Sequence, residues 1–127
     1  MIAGYKPVRY CEVGSGNFTK FARRAVRDFD LGTEIISLDP FPRTDINMLC
    51  DRIIRQPLED LDAAVFDELE AEDIHFLDKF HRVFQNSNVT VFFLELLPHP
   101  KAGTIVQIHD ILLPFNYPAS WISRRYA

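Results

Sequence analysis

Cysteine is scarce in this chain. Cys11 and Cys50 are the only two in 127 residues, they fall in different candidate elements, and they lack a C-x-x-C spacing. Two such thiols make no disulfide framework, and a reducing cytoplasm is the expected compartment. Long apolar runs are missing too: none reaches the roughly 18 residues of a membrane span, and no signal peptide opens the chain. There is no excess of positive charge. The formal net charge is −4 with acids and bases interspersed, which argues against nucleic acid and anionic membranes as partners. Arg23, Arg24 and Arg27 cluster, but they alternate with apolar residues at helical spacing and read as a solvated helix face. Internal repeats and low-complexity stretches are also absent. What remains is ordinary for a folded domain: 47% hydrophobic and 25% charged residues, enough chain to bury a core as one unit over residues 1–127.

Strand and helix signals alternate. Val8–Val13 reads as a first strand, ended by Gly14-Ser15-Gly16. Phe18, Phe21, Ala22, Ala25 and Phe29 then form an apolar stripe at helical spacing, with Gly32 as the expected cap. Thr33–Leu38 is a second strand, stopped by Asp39-Pro40. Thr44–Asp51 is a candidate short helix, Arg52–Arg55 a short third strand, and Leu58–Leu69 a looser helix. Asp73–Asp78 is a fourth strand. Val89, Phe92, Phe93, Leu96 and Leu97 fall at i, i+3, i+4, i+7 and i+8, which predicts a buried helix closed by Pro98 and Pro100. Thr104–Ile111 is a fifth strand, and from Pro114 the chain is irregular.

This alternation predicts a parallel sheet with right-handed crossovers in a three-layer α/β/α, Rossmann-like fold. In such sheets ligands sit beyond the carboxyl ends of the strands. Glycines and polar residues occupy successive strand ends here: Gly14–Gly16, Asp39, the Gln56 region, Asp78 and His109-Asp110. The glycines allow a tight turn and close approach of backbone to ligand. Asp39, 23 residues past Gly16, is placed to accept hydrogen bonds from both ribose hydroxyls of a nucleoside; its plainer reading is an Asp-Pro turn. A dinucleotide fingerprint asks for a third glycine where Thr19 stands, and no hydride-transfer constellation is evident, which disfavours NAD. Glu12, two residues before Gly14, favours a cationic cofactor.

The segments E-V-G-S-G-N (12–17), I-S-L-D-P (36–40), D-K-F-H-R (78–82) and I-H-D-I-L-L-P-F-N-Y-P (108–118) resemble class I S-adenosylmethionine-dependent methyltransferases, in particular the small methyltransferase family 24. The resemblance spans residues 8 to 121. It implies that Glu12, Gly14, Ser15 and Gly16 line the methionine part of S-adenosylmethionine, that Asp39 holds the ribose, and that Gln56 and Leu58 lie near the adenine. It implies that Asp78, His81, His109 and Asp110 face the reacting end, with a small-molecule O or N nucleophile as methyl acceptor. Two places depart from the family pattern. Phe18 stands where the general motif has glycine, which would narrow the cofactor pocket, and Lys79-Phe80 follow the fourth-strand aspartate in place of small residues.

Asp78 and His81 are the candidate catalytic residues, His81 as a general base. Asp78, His109 and Asp110 also resemble the metal triad of catechol-type O-methyltransferases. Oxygen ligands suit Mg²⁺, and a histidine tilts the set toward Mn²⁺, Fe²⁺ or Zn²⁺. His109 and Asp110 are sequential, so both reach one ion only where the strand ends and the backbone bends. His75, mid-strand among apolar neighbours, reads as a core or surface histidine and His99 as a loop residue. Phe115, Tyr117 and Trp121 either pack the tail or wall a substrate pocket.

A full class I sheet has seven strands, whereas this chain supplies five. The expected order is 3-2-1-4-5, which leaves the fifth strand at an edge. Residues 112–127 folding over that edge, or a second copy pairing with it, would protect it. A non-catalytic S-adenosylmethionine-binding or scaffold module is the alternative to an enzyme.

Overall fold

A computed structural model of the chain describes residues 1–42, 45–78, 87–110, 115 and 117–124. Five parallel strands form one sheet: β1 (Arg9–Val13), β2 (Glu34–Leu38), β3 (Arg52–Ile54), β4 (Ile74–Leu77) and β5 (Ile105–Ile108), in the order β3-β2-β1-β4-β5. This is a small α/β Rossmann-like fold. The helices are α1 (Ile2–Tyr5), α2 (Asn17–Asp28), α3 (Ala64–Asp67), α4 (Asn88–Val91) and α5 (Ala119–Ser123).

Strand alternation sends successive side chains to opposite faces, and each face builds its own core. On one side Tyr10, Ile35, Ile74 and Phe76 pack against Ile2, Ala22 and Val26, from α1 and α2. On the other, Cys11, Val13, Ile36, Leu38 and Leu77 pack against Leu58, Phe66, Leu69, Val91, Phe92 and Leu96. Strands apolar on both faces are what a covered parallel sheet requires. At the amino ends of the strands Asp73 locks the base of the sheet. It accepts from the Arg9 backbone N–H at 2.6 Å and from that of Glu70 at 3.0 Å, and faces the Arg9 guanidinium at 3.4 Å.

Several local readings change. Gly32 is not the cap of α2. The helix ends at Asp28, and Asp30 takes the left-handed conformation (φ 50°), with Leu31 N–H returning to Val26 C=O at 2.9 Å and Asp30 N–H to Arg27 C=O at 3.3 Å. That pair of bonds is a Schellman closure with aspartate in place of glycine. Between residues 45 and 51 there is a turn rather than a helix. The segment 58–69 is a 3₁₀ turn, Leu58–Asp60, then α3, because Leu61 is extended (ψ 135°) and breaks the helical path. The buried helix beginning near Val89 is present, but after α4 it widens into a π-helical turn, Phe92–Leu96. β5 is shorter than its sequence pattern, since Asp110 turns left-handed at φ 58°. No helix among the described residues is long and apolar enough to cross a membrane.

Candidate functional site

The central strand leaves the sheet through Gly14, whose φ of 87° lies in the region that a side chain strains. Its N–H bonds Leu38 C=O at 3.1 Å, so the turn crosses the end of β2. Gly16 begins α2 in extended backbone, and a side chain there would project into open space. That space gives a ligand room to approach the turn.

Asp39 comes to the same turn from the end of β2. Its carboxylate accepts the Ser15 N–H at 2.8 Å and the Phe41 N–H at 3.1 Å, and only 3% of the residue is exposed. The Ser15 hydroxyl meets that of Ser37, two residues before Asp39 and on the same face of β2. The glycine turn and the second-strand acid, separate in sequence, therefore form one hydrogen-bonded unit.

Glu12 lies beneath this unit with no solvent exposure. One oxygen accepts the Tyr10 hydroxyl at 3.0 Å and the other the Thr19 hydroxyl at 2.5 Å, while Thr19 itself accepts the Gly16 N–H at 2.9 Å. Desolvation pushes the Glu12 carboxyl up to about 7. The two hydroxyls partly offset this by stabilising the anion, and the Asp78 and Asp39 charges push further upward. The Tyr10 hydroxyl is pushed upward by burial and by Glu12. Cys50 is raised to about 11 by desolvation, with Ser37 hydrogen-bonded to it. Tyr10, Thr19 and Ser37 were not singled out as site residues in sequence. Their signal was available: Tyr10 shares a strand face with Glu12, Ser37 shares one with Asp39, and Thr19 sits three residues past the helix cap, where a hydroxyl reaches back to the cap N–H.

Asp78 stands at the end of β4, its N–H on Val13 C=O at 2.9 Å, half-buried beside the turn. Beyond β5 the left-handed Asp110 bends the chain, and its carboxylate comes within 3.2 Å of His109 Nε2. Sequential residues thus share one side of the strand end. Among the described residues no group of three His, Cys, Asp or Glu side chains is arranged to hold a metal ion. His81 and Lys79-Phe80 lie outside the described residues.

The Phe18 ring packs against Phe76 at 5.1 Å and edge-on to His109 at 4.7 Å. It forms a wall between α2 and β5. Gln56 is exposed on the loop after β3, and the Leu58 side chain is in the core against the far face of the sheet. His75 is fully buried between Phe66 (4.6 Å) and Phe92 (5.1 Å), with neither ring nitrogen meeting a hydrogen-bond partner among the described residues, and burial pushes it down to about 3. His99 pairs with Asp67 at 3.0 Å. Tyr117 donates to Asp110 C=O at 2.8 Å and stacks on Trp121, while Phe115 is exposed.

Chemically, the crevice at the carboxyl ends of the strands brings together a glycine turn with a helix amino terminus, a second-strand acid and the buried Glu12, whose carboxyl is held up to about 7, with Asp78 and His109 at the ends of β4 and β5. No protein-family model, no curated protein and no solved structure matches the chain.

Proposed function

We propose that this crevice binds the nucleoside of S-adenosylmethionine and that the protein transfers its methyl group to an oxygen or nitrogen nucleophile on a small molecule. The observation that carries the reading is the Ser15 N–H bond to Asp39, which joins the glycine turn to the second-strand acid beside the switch point, where the strand order reverses between β1 and β4. The residues fit such a cofactor: Gly14 provides the turn, Gly16 leaves open space before α2, and Asp39 supplies an acceptor for ribose hydroxyls. The cofactor supplies an electrophilic methyl on a sulfonium. The chain's part is to align an acceptor with it, and proton removal falls to His81, His109 or Asp78. The divalent ion expected on Asp78, His109 and Asp110 is not carried into the proposal, because these three described side chains form no metal-holding group.

The second reading is a non-catalytic S-adenosylmethionine-binding module with the same cofactor contacts and no methyl transfer. Titration calorimetry with S-adenosylmethionine, S-adenosylhomocysteine and NAD separates the readings from a dehydrogenase. Binding of the first two without NAD supports the proposal, and it fails if neither binds. Asp39→Ala is expected to weaken binding at least tenfold; unchanged affinity removes Asp39 from the site. Binding with no turnover on any acceptor leaves the module.

A further inference from the structure

The two edges of the sheet are built differently. β3 is three residues long and flanked by Asp51 and Arg55, and Arg52 lies within it. Short, charged edges of this kind resist strand addition. β5 has no charge, proline or bulge from Thr104 to Ile108. Its hydrogen bonds to β4 run through alternate residues: Ile105 N–H to Asp73 C=O at 2.8 Å and His109 N–H to Leu77 C=O at 2.9 Å. In a parallel ladder that alternation turns the N–H and C=O of Val106 and Ile108 outward, and among the described residues nothing pairs with them. The strand itself is half-buried, with Gln107 exposed.

We infer that β5 pairs antiparallel with the β5 of a second copy, joining two five-stranded sheets into one of ten across a two-fold axis at Gln107. The register follows from the free groups. Thr104 N–H is used by Lys101 C=O at 3.1 Å, and Asp110 leaves the strand conformation, so Val106 and Ile108 are the two outward positions available. Placing Val106 opposite Ile108 of the second copy satisfies all of them, with four new backbone bonds. Any other register leaves one pair unmet.

Side chains agree with that register. Val106 and Ile108 pack at the margin of the core that holds Leu77 and Val91, so their pairing extends an apolar surface already begun. Gln107 meets its own copy, amide to amide. On the α2 face a cavity of about 330 Å³ opens beside the same strand, lined by Phe18, Phe21, Phe76 and Gln107. Self-pairing of one edge gives a closed two-fold dimer and not a fibre.

Light scattering on the wild-type protein is expected to give about twice the 14.7 kDa chain mass. A single-chain mass at every concentration overturns the inference, as does an open-ended ladder of oligomers. Val106→Pro removes an outward N–H and no β4 bond, and is expected to be monomeric with an unchanged circular dichroism spectrum. A dimer that survives in this variant overturns the inference. Gln107→Cys gives a second readout that does not depend on how the proline variant folds. Directly opposed residues of this non-hydrogen-bonded pair lie about 4.5 Å apart at Cα, within disulfide reach. Mild oxidation is expected to cross-link this variant into covalent dimers and leave the wild type uncross-linked. A dimeric Gln107→Cys that does not cross-link refutes the register.

Discussion

Two buried titratable groups on opposite faces of the sheet set opposing demands on pH. His75 is fully enclosed by Phe66, Phe92 and the strands beside it, and burial holds it down to about 3 from 6.5. The unfolded chain therefore takes up a proton that the fold refuses, and stability falls as the pH drops from 6.5 toward 3. Glu12 is held up to about 7 from 4.5. There the fold keeps a proton that the unfolded chain releases, and stability falls as the pH rises from 4.5 toward 7. Each group contributes about 1.4 kcal/mol per pH unit inside its window. Between pH 4.5 and 6.5 both windows are open and the slopes cancel. Cys11, the β1 neighbour of His75, stays neutral throughout, since burial raises it to about 12. The wild-type protein is thus expected to show a plateau of stability from pH 4.5 to 6.5. Glu12→Gln keeps an acceptor for Tyr10 or Thr19 but removes one slope, so it should lose about 3 kcal/mol on going from pH 6.5 to 4.5. His75→Phe, a ring of similar shape between two others, should gain about 3 kcal/mol over the same step. Urea unfolding at half-unit pH intervals measures all three. Parallel profiles for the two variants would refute the reasoning, because it requires slopes of opposite sign.

Three further outcomes are expected. Thr19→Val removes the hydroxyl between Gly16 N–H and Glu12 from a fully buried position, and thermal or urea unfolding should show a loss of about 1–3 kcal/mol. Asp73→Ala strips the acceptor from two backbone N–H groups and the partner from Arg9, with a loss of about 2–4 kcal/mol by the same measurement; Asp73→Asn should recover part of it. Gly103→Ala puts a Cβ 2.8 Å from the Cβ of Ala71 at a φ of 96°, and should lower stability by about 1–3 kcal/mol; a melting temperature equal to that of the wild type would show that the 71–73 turn yields without cost.

The ends of four strands were legible because each is marked by a residue type that interrupts the apolar pattern, Gly14, Asp39, Asp78 and Asp110, while the strand order came from the resemblance to the class I methyltransferase sheet. Those marks also placed the turn and Asp39 together. Other features were hidden for physical reasons. Thr19 read as a missing glycine, although its hydroxyl caps α2 and holds Glu12; a motif comparison registers what a residue is not, whereas the hydrogen bond depends on where the strand delivers its partner. Leu58 follows β3 as a crevice residue should, yet its side chain turns into the core, a choice that spacing along a loop does not encode. The stripe from Val89 to Leu97 kept its apolar positions through a π-helical turn, since burial of Phe92 and Leu96 tolerates a wider helical path. His75 sits in a strand pattern like any apolar residue, and the loss of both its hydrogen bonds follows from Phe66 and Phe92 arriving from distant parts of the chain.

The middle strand of the sheet is the first to leave the ribosome, and its lock at the base, Arg9 to Asp73, closes across 64 residues. Until β4 has been synthesised, β1 has a neighbour on one side only, and its other edge stays bare while the segment between β2 and β4 is made. Pairing of the central strand on both sides therefore waits for β4. Slowing elongation between β2 and β4 prolongs the exposure of an apolar edge that the finished molecule keeps sealed at its centre.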